Sequence, residues 1–279
     1  MSDHDGRGAL SVVIPAHNEE ATLADVVQRV LELPPLREVI VVDDASTDAT
    51  AKIGQWLADR HSRVRYVRHE RNRGKTEALR TGFALTDGDI VIIQDADLEY
   101  DPGDIPSVIG PILEGYADVV YGSRFLVRRA TRVLYFYHYL ANKALTFTSN
   151  LLTNLNMTDV ETCYKAFRGE IIRSMKITSQ GFGFEVEVTA KVAKLGCPIY
   201  EVPISYYGRT YEEGKQIGLK DGIEAFWLTL RFNLFSSLRT SFTEVPELKA
   251  DPGLVGDRPA SVGDVTDASA TKRAVRLVA

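Results

Sequence analysis

Asp95 and Asp97, separated by Ala96, close a run rich in Ile and Val that begins at Ile90. If strand alternation carries through them, both carboxylates point to one side. Alone such a pair repels; a divalent cation makes it favourable. Hard oxygen ligands suit Mg2+ or Mn2+, either of which can bridge to a diphosphate. Glu99 has the same parity and joins Asp95 and Asp97 as a metal ligand if the strand reaches that far. An isolated Asp-x-Asp is usually two solvated loop carboxylates, so its meaning depends on its company. Asp43-Asp44 ends a second apolar run, where one carboxylate can accept from a base N–H or a ribose hydroxyl. Ser46-Thr47-Asp48 behind it suits a helix cap. Asn72-Arg73-Gly74-Lys75 precedes a helical stretch, so backbone N–H groups and Lys75 can meet a phosphate or a base.

A second constellation is basic. Arg124, Arg128 and Arg132 recur four apart, and on a helix their guanidinium groups share a face suited to a phosphate. The stretch that follows repeats Val133, Phe136, Tyr137, Leu140, Ala144, Phe147, Leu151 and Leu155 at helical spacing. Most such stripes are core. Behind an arginine cluster, and with a second apolar helix carrying Phe226, Trp227, Leu230, Phe232, Leu234 and Phe235, the pattern fits helices lying on a bilayer surface.

The elements that must position these groups alternate. Strands are expected at Leu10–Ile14, Glu38–Asp43, Val64–Arg68, Ile90–Asp95 and Asp118–Tyr121, with helices at Glu19–Leu33, from the Ser46–Asp48 cap to about His61, at Lys75–Thr86 and at Asp104–Glu114. Apolar strands between helices imply an α/β fold, a mostly parallel central sheet with helices on both faces. Ligands on such sheets lie beyond the carboxyl ends of the strands, which gathers residues 15–19, Asp43-Asp44 and Asp95-Ala96-Asp97 at one edge. Further along, a strand is expected at Cys163–Arg168, a helix at Phe184–Leu195, a strand at Pro198–Tyr207 and a helix at about 220–240. Residues 1–8 read as a flexible terminus, 9–243 as one domain with 133–156 and 220–240 as its interfacial helices, and 244–279 as a disordered tail rich in Pro, Gly, Asp, Ser and Ala.

The net charge of −5 over 279 residues argues against a nucleic-acid partner. Two cysteines give neither a disulfide framework nor a zinc cluster and suit a reducing, cytoplasmic setting. No uninterrupted apolar run is long enough for a membrane span, so any membrane association is expected to be peripheral.

Five motifs in register resemble the family-two glycosyltransferases with the GT-A nucleotide-sugar-binding fold: Val12 to Glu20, Val41 to Asp48, Asn72 to Lys75, Asp95-Ala96-Asp97 and Gly122-Ser123-Arg124. The resemblance implies that Pro15, Ala16, Asn18, Glu19, Asp43, Asp44, Lys75, Asp95 and Ala96 line the nucleotide-sugar pocket. It also implies that Asp95 and Asp97 handle metal and diphosphate. Thr158 to Lys165 and the loop Gly208 to Lys215 add a likeness to the dolichol-phosphate or polyprenol-phosphate sugar synthases. By that similarity Arg209 and Lys215 approach phosphate groups. Many such synthases carry Gln where Glu99 stands, which puts its role as a ligand in question.

These readings imply inverting transfer of a hexose from a GDP-mannose or UDP-glucose type of donor to a polyprenyl phosphate. The metal stabilises the departing diphosphate, and Arg124, with Arg128 and Arg132, holds the acceptor phosphate. A phosphate monoester, with a second pKa near ~6, is already nucleophilic at neutral pH and needs little help from a base. Asp159 and Glu161 are the carboxylates at hand if a base is required. The membrane surface, and a membrane-anchored protein, are the expected partners. One alternative is a transferase acting on a glycan hydroxyl, which needs a base; another is a nucleotide-sugar-binding protein without turnover. A nicotinamide-dependent oxidoreductase is excluded, because Pro15-Ala16-His17-Asn18 stands where its Gly-rich turn would be.

Overall fold

A computed structural model describes residues 9–126, 135–181, 183–208 and 219–250. The β-branched runs pair into a seven-stranded sheet of order β3-β2-β1-β4-β6-β5-β7. Strands β1 (Leu10–Ala16), β2 (Leu36–Asp43), β3 (Val64–Arg68) and β4 (Ile90–Ile93) pair in parallel, as do β5 (Val119–Ser123) and β7 (Ile199–Pro203). Only β6 (Lys165–Arg168) runs against both its neighbours, β4 and β5. The sheet is the mostly parallel one expected.

Alternation along β1 divides the core. Val12 and Ile14 face a layer made with α1 (Leu23–Leu31), α2 (Thr50–Arg60) and α4 (Ile105–Leu113). Val13 faces the other layer, with α3 (Lys75–Leu85), α6 (Gly169–Ser174), α7 (Phe184–Leu195) and α8 (Leu219–Leu234). Close packing there depends on Gly82, since a Cβ on it would come within 2.3 Å of Val13 Cγ1. Helix α5 (Phe136–Thr153) packs beside α7 and α8, and the short α9 (Leu238–Ser241) follows a Ser237–Thr240 capping box.

Several expected boundaries move. The first helix begins at Leu23 rather than Glu19, and the N–H groups of Glu19 and Glu20 before it are held by Thr50 Oγ1 and Asp48 Oδ2 from the α2 start. The fourth strand ends at Ile93, two residues short of Asp95, so strict alternation does not govern the Asp95–Asp97 pair. The later strands shrink to β6 and β7, and the expected 220–240 helix ends at Leu234. Residues 244–250, expected to belong to a disordered tail, return to the sheet: the N–H groups of Lys249 and Ala250 reach the buried carboxylate of Asp118, which also accepts from Arg168 Nε at 2.6 Å. Residues 1–8 and 251–279 lie outside the described residues.

Candidate functional site

Two adjacent aspartates at the end of β2 organise one side of the candidate site. Asp43 is fully buried and accepts from the Ser46 N–H at 2.8 Å and the Tyr66 hydroxyl at 2.7 Å, with Arg68 Nε at 3.5 Å. Asp44 accepts from the N–H groups of Arg73 and Gly74 and lies 2.7 Å from His69 Nδ1. It therefore cradles the Asn72–Lys75 turn, in which Gly74 takes φ 86°, a conformation that favours glycine. Beside this cradle Asn18, also left-handed at φ 57°, accepts from the Thr47 N–H at 2.8 Å and donates its own N–H to Ser46 Oγ. Asn18 and Glu19 are thereby locked to the β2–α2 loop, next to a partly exposed Pro15 and a buried Ala16. Of the expected cap residues, Asp48 accepts from the Thr50 N–H at 2.9 Å and also from the Glu20 N–H, while Ser46 holds the first loop through Asn18.

The cradle delivers Lys75 into the centre. Its ammonium lies 2.7 Å from Asp95 Oδ1 and 3.0 Å from Cys163 Sγ. Burial works against that charge, but Asp95, then Cys163 and Glu185, hold its pKa well above the ordinary lysine value. Beyond Asp95, Ala96 is buried, and the chain turns through Leu98 at φ 59° while Asp97 Oδ1 accepts from the Glu99 N–H at 3.1 Å. Gln94, fully buried and bonded to Asp95 O, Tyr100 O and the Tyr164 hydroxyl, fixes the turn from behind. Glu99 Oε2 accepts from the Tyr206 hydroxyl at 2.9 Å. Among the described residues no group of three or more His, Cys, Asp or Glu side chains is arranged to hold a metal ion.

Arg124 follows β5 and is fixed by Asp159. Asp159 accepts from Arg124 Nε at 2.6 Å, Nη2 at 2.7 Å and the backbone N–H at 3.1 Å, and from Asn142 Nδ2 on α5 at 3.2 Å. Burial would raise the Asp159 pKa; the Arg124 charge and its hydrogen bonds outweigh that and keep it below the ordinary value. Such a carboxylate is a poor proton acceptor, which corrects the expectation that Asp159 is available as a base. Arg124 also stacks over Tyr206 and Phe125, and Lys143 of α5 lies over Phe125 at 4.2 Å.

Glu161 differs from Asp159. It is partly exposed as a residue, yet its Oε1 is buried and has no hydrogen-bond partner among the described residues. Burial, and next the nearby Glu185, raise its pKa to about 7. Glu185 and Lys165 escaped the sequence reading. Lys165 opens β6 and donates to the carbonyls of Val160 and Thr162, holding the 158–163 loop, while Glu185 lies within 3.8 Å of Cys163 Sγ. The signal for Glu185 was two glutamates, 185 and 187, in the first turn of a helix whose neighbours are all buried. Arg128, Arg132, Arg209 and Lys215 lie outside the described residues.

The two apolar helices present wide exposed faces. On α5, Tyr137 is 81% exposed, Leu151 73% and Phe147 69%; Phe235 just past α8 is 77% and Trp227 on it 60%. Among the described residues no helix is long and apolar enough to cross a membrane.

Comparison with known proteins gives concordant matches. Residues 11–175 match the family model described as glycosyl transferase family 2. The chain is 29% identical over 238 residues to an undecaprenyl-phosphate mannosyltransferase of Micrococcus luteus, covering 80% of this chain and 97% of that protein. It is 31% identical over 237 residues to an undecaprenyl-phosphate 4-deoxy-4-formamido-L-arabinose transferase of Pseudomonas aeruginosa, covering 83% and 66% of the two. A dolichol-phosphate mannosyltransferase of Pyrococcus furiosus is 29% identical, with 75% of this chain and 59% of that protein covered. In fold, the chain resembles glucosyl-3-phosphoglycerate synthase of Mycobacterium tuberculosis, solved with Mn2+, uridine diphosphate and phosphoglyceric acid. That match has a TM-score of 0.64 and 24% identity, covering 83% of this chain and 80% of that one.

Proposed function

The chain belongs to glycosyltransferase family 2, and from that premise we propose that it transfers a hexose, with inversion, from a GDP- or UDP-sugar to a polyprenyl phosphate. The observation that carries the reading is Arg124. It is a cation fixed by Asp159 and joined through Asn142 to α5, whose outer face exposes Phe136, Tyr137 and Leu140. A guanidinium at the root of an exposed apolar helix suits an anionic head on an apolar chain. Relatives named for undecaprenyl-phosphate and dolichol-phosphate acceptors support the same acceptor class.

The donor diphosphate belongs at Asp95, Asp97 and Lys75. The donor set fits a hard divalent cation, since Mg2+ is commonly held by one or two carboxylates together with substrate phosphates. Asp97, together with Asp95, which lies 2.7 Å from Lys75, would hold the metal ion. A bound Mg2+ or Mn2+ supplies charge stabilisation to the departing diphosphate. Asp44 orients the turn that carries Lys75, and the loop of Asn18 and Glu19 borders the nucleotide. Arg124 holds the acceptor phosphate, whose own charge makes it the nucleophile; the displaced bond is the one between the anomeric carbon and the diphosphate oxygen. Arg128 and Arg132, which precede α5 in sequence, are assigned to the same phosphate on their spacing alone. Arg209 and Lys215 are assigned to the donor phosphates on the resemblance alone.

The exposed faces of α5 and α8 support attachment to a bilayer surface without a span, on the cytoplasmic side where nucleotide sugars are made available. A membrane-anchored partner protein remains part of the proposal. A second reading, transfer to a glycan hydroxyl, draws its support from Glu161, whose pKa of about 7 suits a general base. The test is incubation of the purified protein with Mn2+ or Mg2+ and a panel of GDP- and UDP-sugars, with and without polyprenyl phosphate in detergent. Metal-dependent lipid-linked sugar is expected. Product formed only with a glycan acceptor would overturn the lipid-phosphate reading.

A further inference from the structure

Two carboxyl groups that neighbour both ends of the site, Glu161 and Glu185, are left without a task by lipid-phosphate transfer. At one end Lys75 and Asp95 mark the diphosphate; at the other Arg124 and Asp159 mark the acceptor phosphate. In any single displacement the transferred sugar sits between leaving group and nucleophile. Glu185, at the start of α7, interacts with Lys75 and Cys163 on the diphosphate side and with Glu161 on the other. Glu161, in the loop entering β6, interacts with Arg124 and Asp159 on the acceptor side. The two glutamates therefore bridge the gap that a hexose must fill.

We propose that Glu161, backed by Glu185, forms the hexose-reading part of the site and accepts and donates hydrogen bonds to hydroxyl groups of the donor sugar. This rests on the lipid-phosphate reading, in which no base is needed and Glu161 is left for binding. Buried polar atoms in folded proteins are almost always paired, and Glu161 Oε1 has no partner among the described residues. The surroundings say in which form it acts. Burial, and next the nearby Glu185, favour the neutral form of the Glu161 carboxyl. A neutral carboxyl carries one O–H donor beside its acceptor oxygen, the complement of a sugar hydroxyl. The loop that carries it is rigid, because Lys165 ties Val160 and Thr162 while Glu201 accepts from the Thr158 and Asp159 N–H groups. A site built to hydrogen-bond a hydroxyl rejects the analogue that lacks it, so these two residues decide which hexose is transferred.

The experiment measures, by calorimetry with Mn2+ present, the affinities of the full-length wild type, Glu161→Ala and Glu161→Gln. The ligands are UDP, GDP, UDP-glucose, GDP-mannose and their monodeoxy analogues. In the wild type one sugar nucleotide is expected to bind more tightly than its bare nucleotide. Glu161→Ala should lose about tenfold to a hundredfold of that sugar-dependent part, leave the bare nucleotide unchanged, and become indifferent to removal of one particular hydroxyl. Glu161→Gln should retain most of it. If Glu161→Ala does not fold, the wild-type deoxy series and Glu161→Gln still decide: no single hydroxyl mattering, or equal loss for bare and sugar-bearing nucleotides, overturns the assignment. So does a wild type that binds no sugar nucleotide of the panel better than its nucleotide. Failure of the lipid-phosphate reading is seen separately, as absence of lipid-linked product from a donor that does bind.

Discussion

Replacing Asp159 with Asn tests what holds Arg124 in place. Asp159 accepts four hydrogen bonds, three from Arg124 and one from Asn142, and is itself fully buried; the Arg124 side chain is 16% exposed. Removing one partner of a buried ion pair leaves the other charge uncompensated and costs ~3–5 kcal/mol. The residual exposure of Arg124 lets water recover part of this, so about 3 kcal/mol is expected, or about 6–10 °C in Tm for a domain of this size. Because the folded state holds the Asp159 pKa below its ordinary value, the contribution is present above about pH 4 and is lost as pH falls through the lowered pKa. Urea unfolding of wild type and Asp159→Asn at neutral pH and near pH 3 measures both. Turnover should fall with stability while the donor KM stays near wild type, since the diphosphate end is untouched. The double variant Arg124→Met with Asp159→Leu should recover most of the stability and none of the activity. If Asp159→Asn unfolds within about 0.5 kcal/mol of wild type, or the double variant loses the sum of the single losses, the ion-pair account is wrong.

Four further outcomes follow from the same reading. Glu161 has its folded pKa raised to about 7 from 4.5, so its contribution is fully present below pH 4.5 and is lost as pH rises through 7. Glu161→Gln should therefore exceed wild type by up to about 3 kcal/mol above pH 8 and match it near pH 4.5, which is read from unfolding at the two pH values. Lys75→Met removes the cation from Asp95, and kcat/KM for the donor should drop at least about a hundredfold; a drop under about threefold would remove Lys75 from the diphosphate site. Chelation of Mg2+ and Mn2+ should abolish transfer and restoring either should recover it. Ser in place of Tyr137, Trp227 or Phe235 should each weaken sedimentation with anionic vesicles about tenfold, at ~1.5–3 kcal/mol per large apolar side chain buried, with unchanged unfolding; vesicle binding equal to wild type in all three would place the membrane face elsewhere.

The sheet was legible because its signal is local: runs such as Val39–Val42 and Ile90–Ile93 are apolar throughout, as strands covered on both faces must be. The motif-bearing strand ends were legible for the same reason. What escaped was pairing between distant segments. Nothing near Asp159 in the sequence shows that Arg124, 35 residues earlier, occupies both its oxygens, so Asp159 and Glu161 looked alike as carboxylates when only one is bound up. The Asp95–Asp97–Glu99 parity argument failed because β4 stops at Ile93 and Leu98 turns the chain, a conformation that no residue type at that position announces. The return of residues 244–250 to Asp118 was hidden by a composition typical of tails, since backbone N–H groups make that contact and composition does not record them.

The reversed direction of β6 has an evolutionary consequence. A strand running against its neighbours enters the sheet at the edge where they leave it, so the segment from Thr158 to Lys165 arrives at the site already anchored at both ends. On the proposed reading the base and ribose are bordered by stretches from β1 to β4, all before residue 100, while Glu161 and Glu185 come from chain after residue 158. Recognition of the nucleotide and recognition of the hexose are thus written in separate stretches of the gene. On that reading, substitutions in the later stretch are expected to change which sugar is transferred and to leave binding of the base and ribose intact.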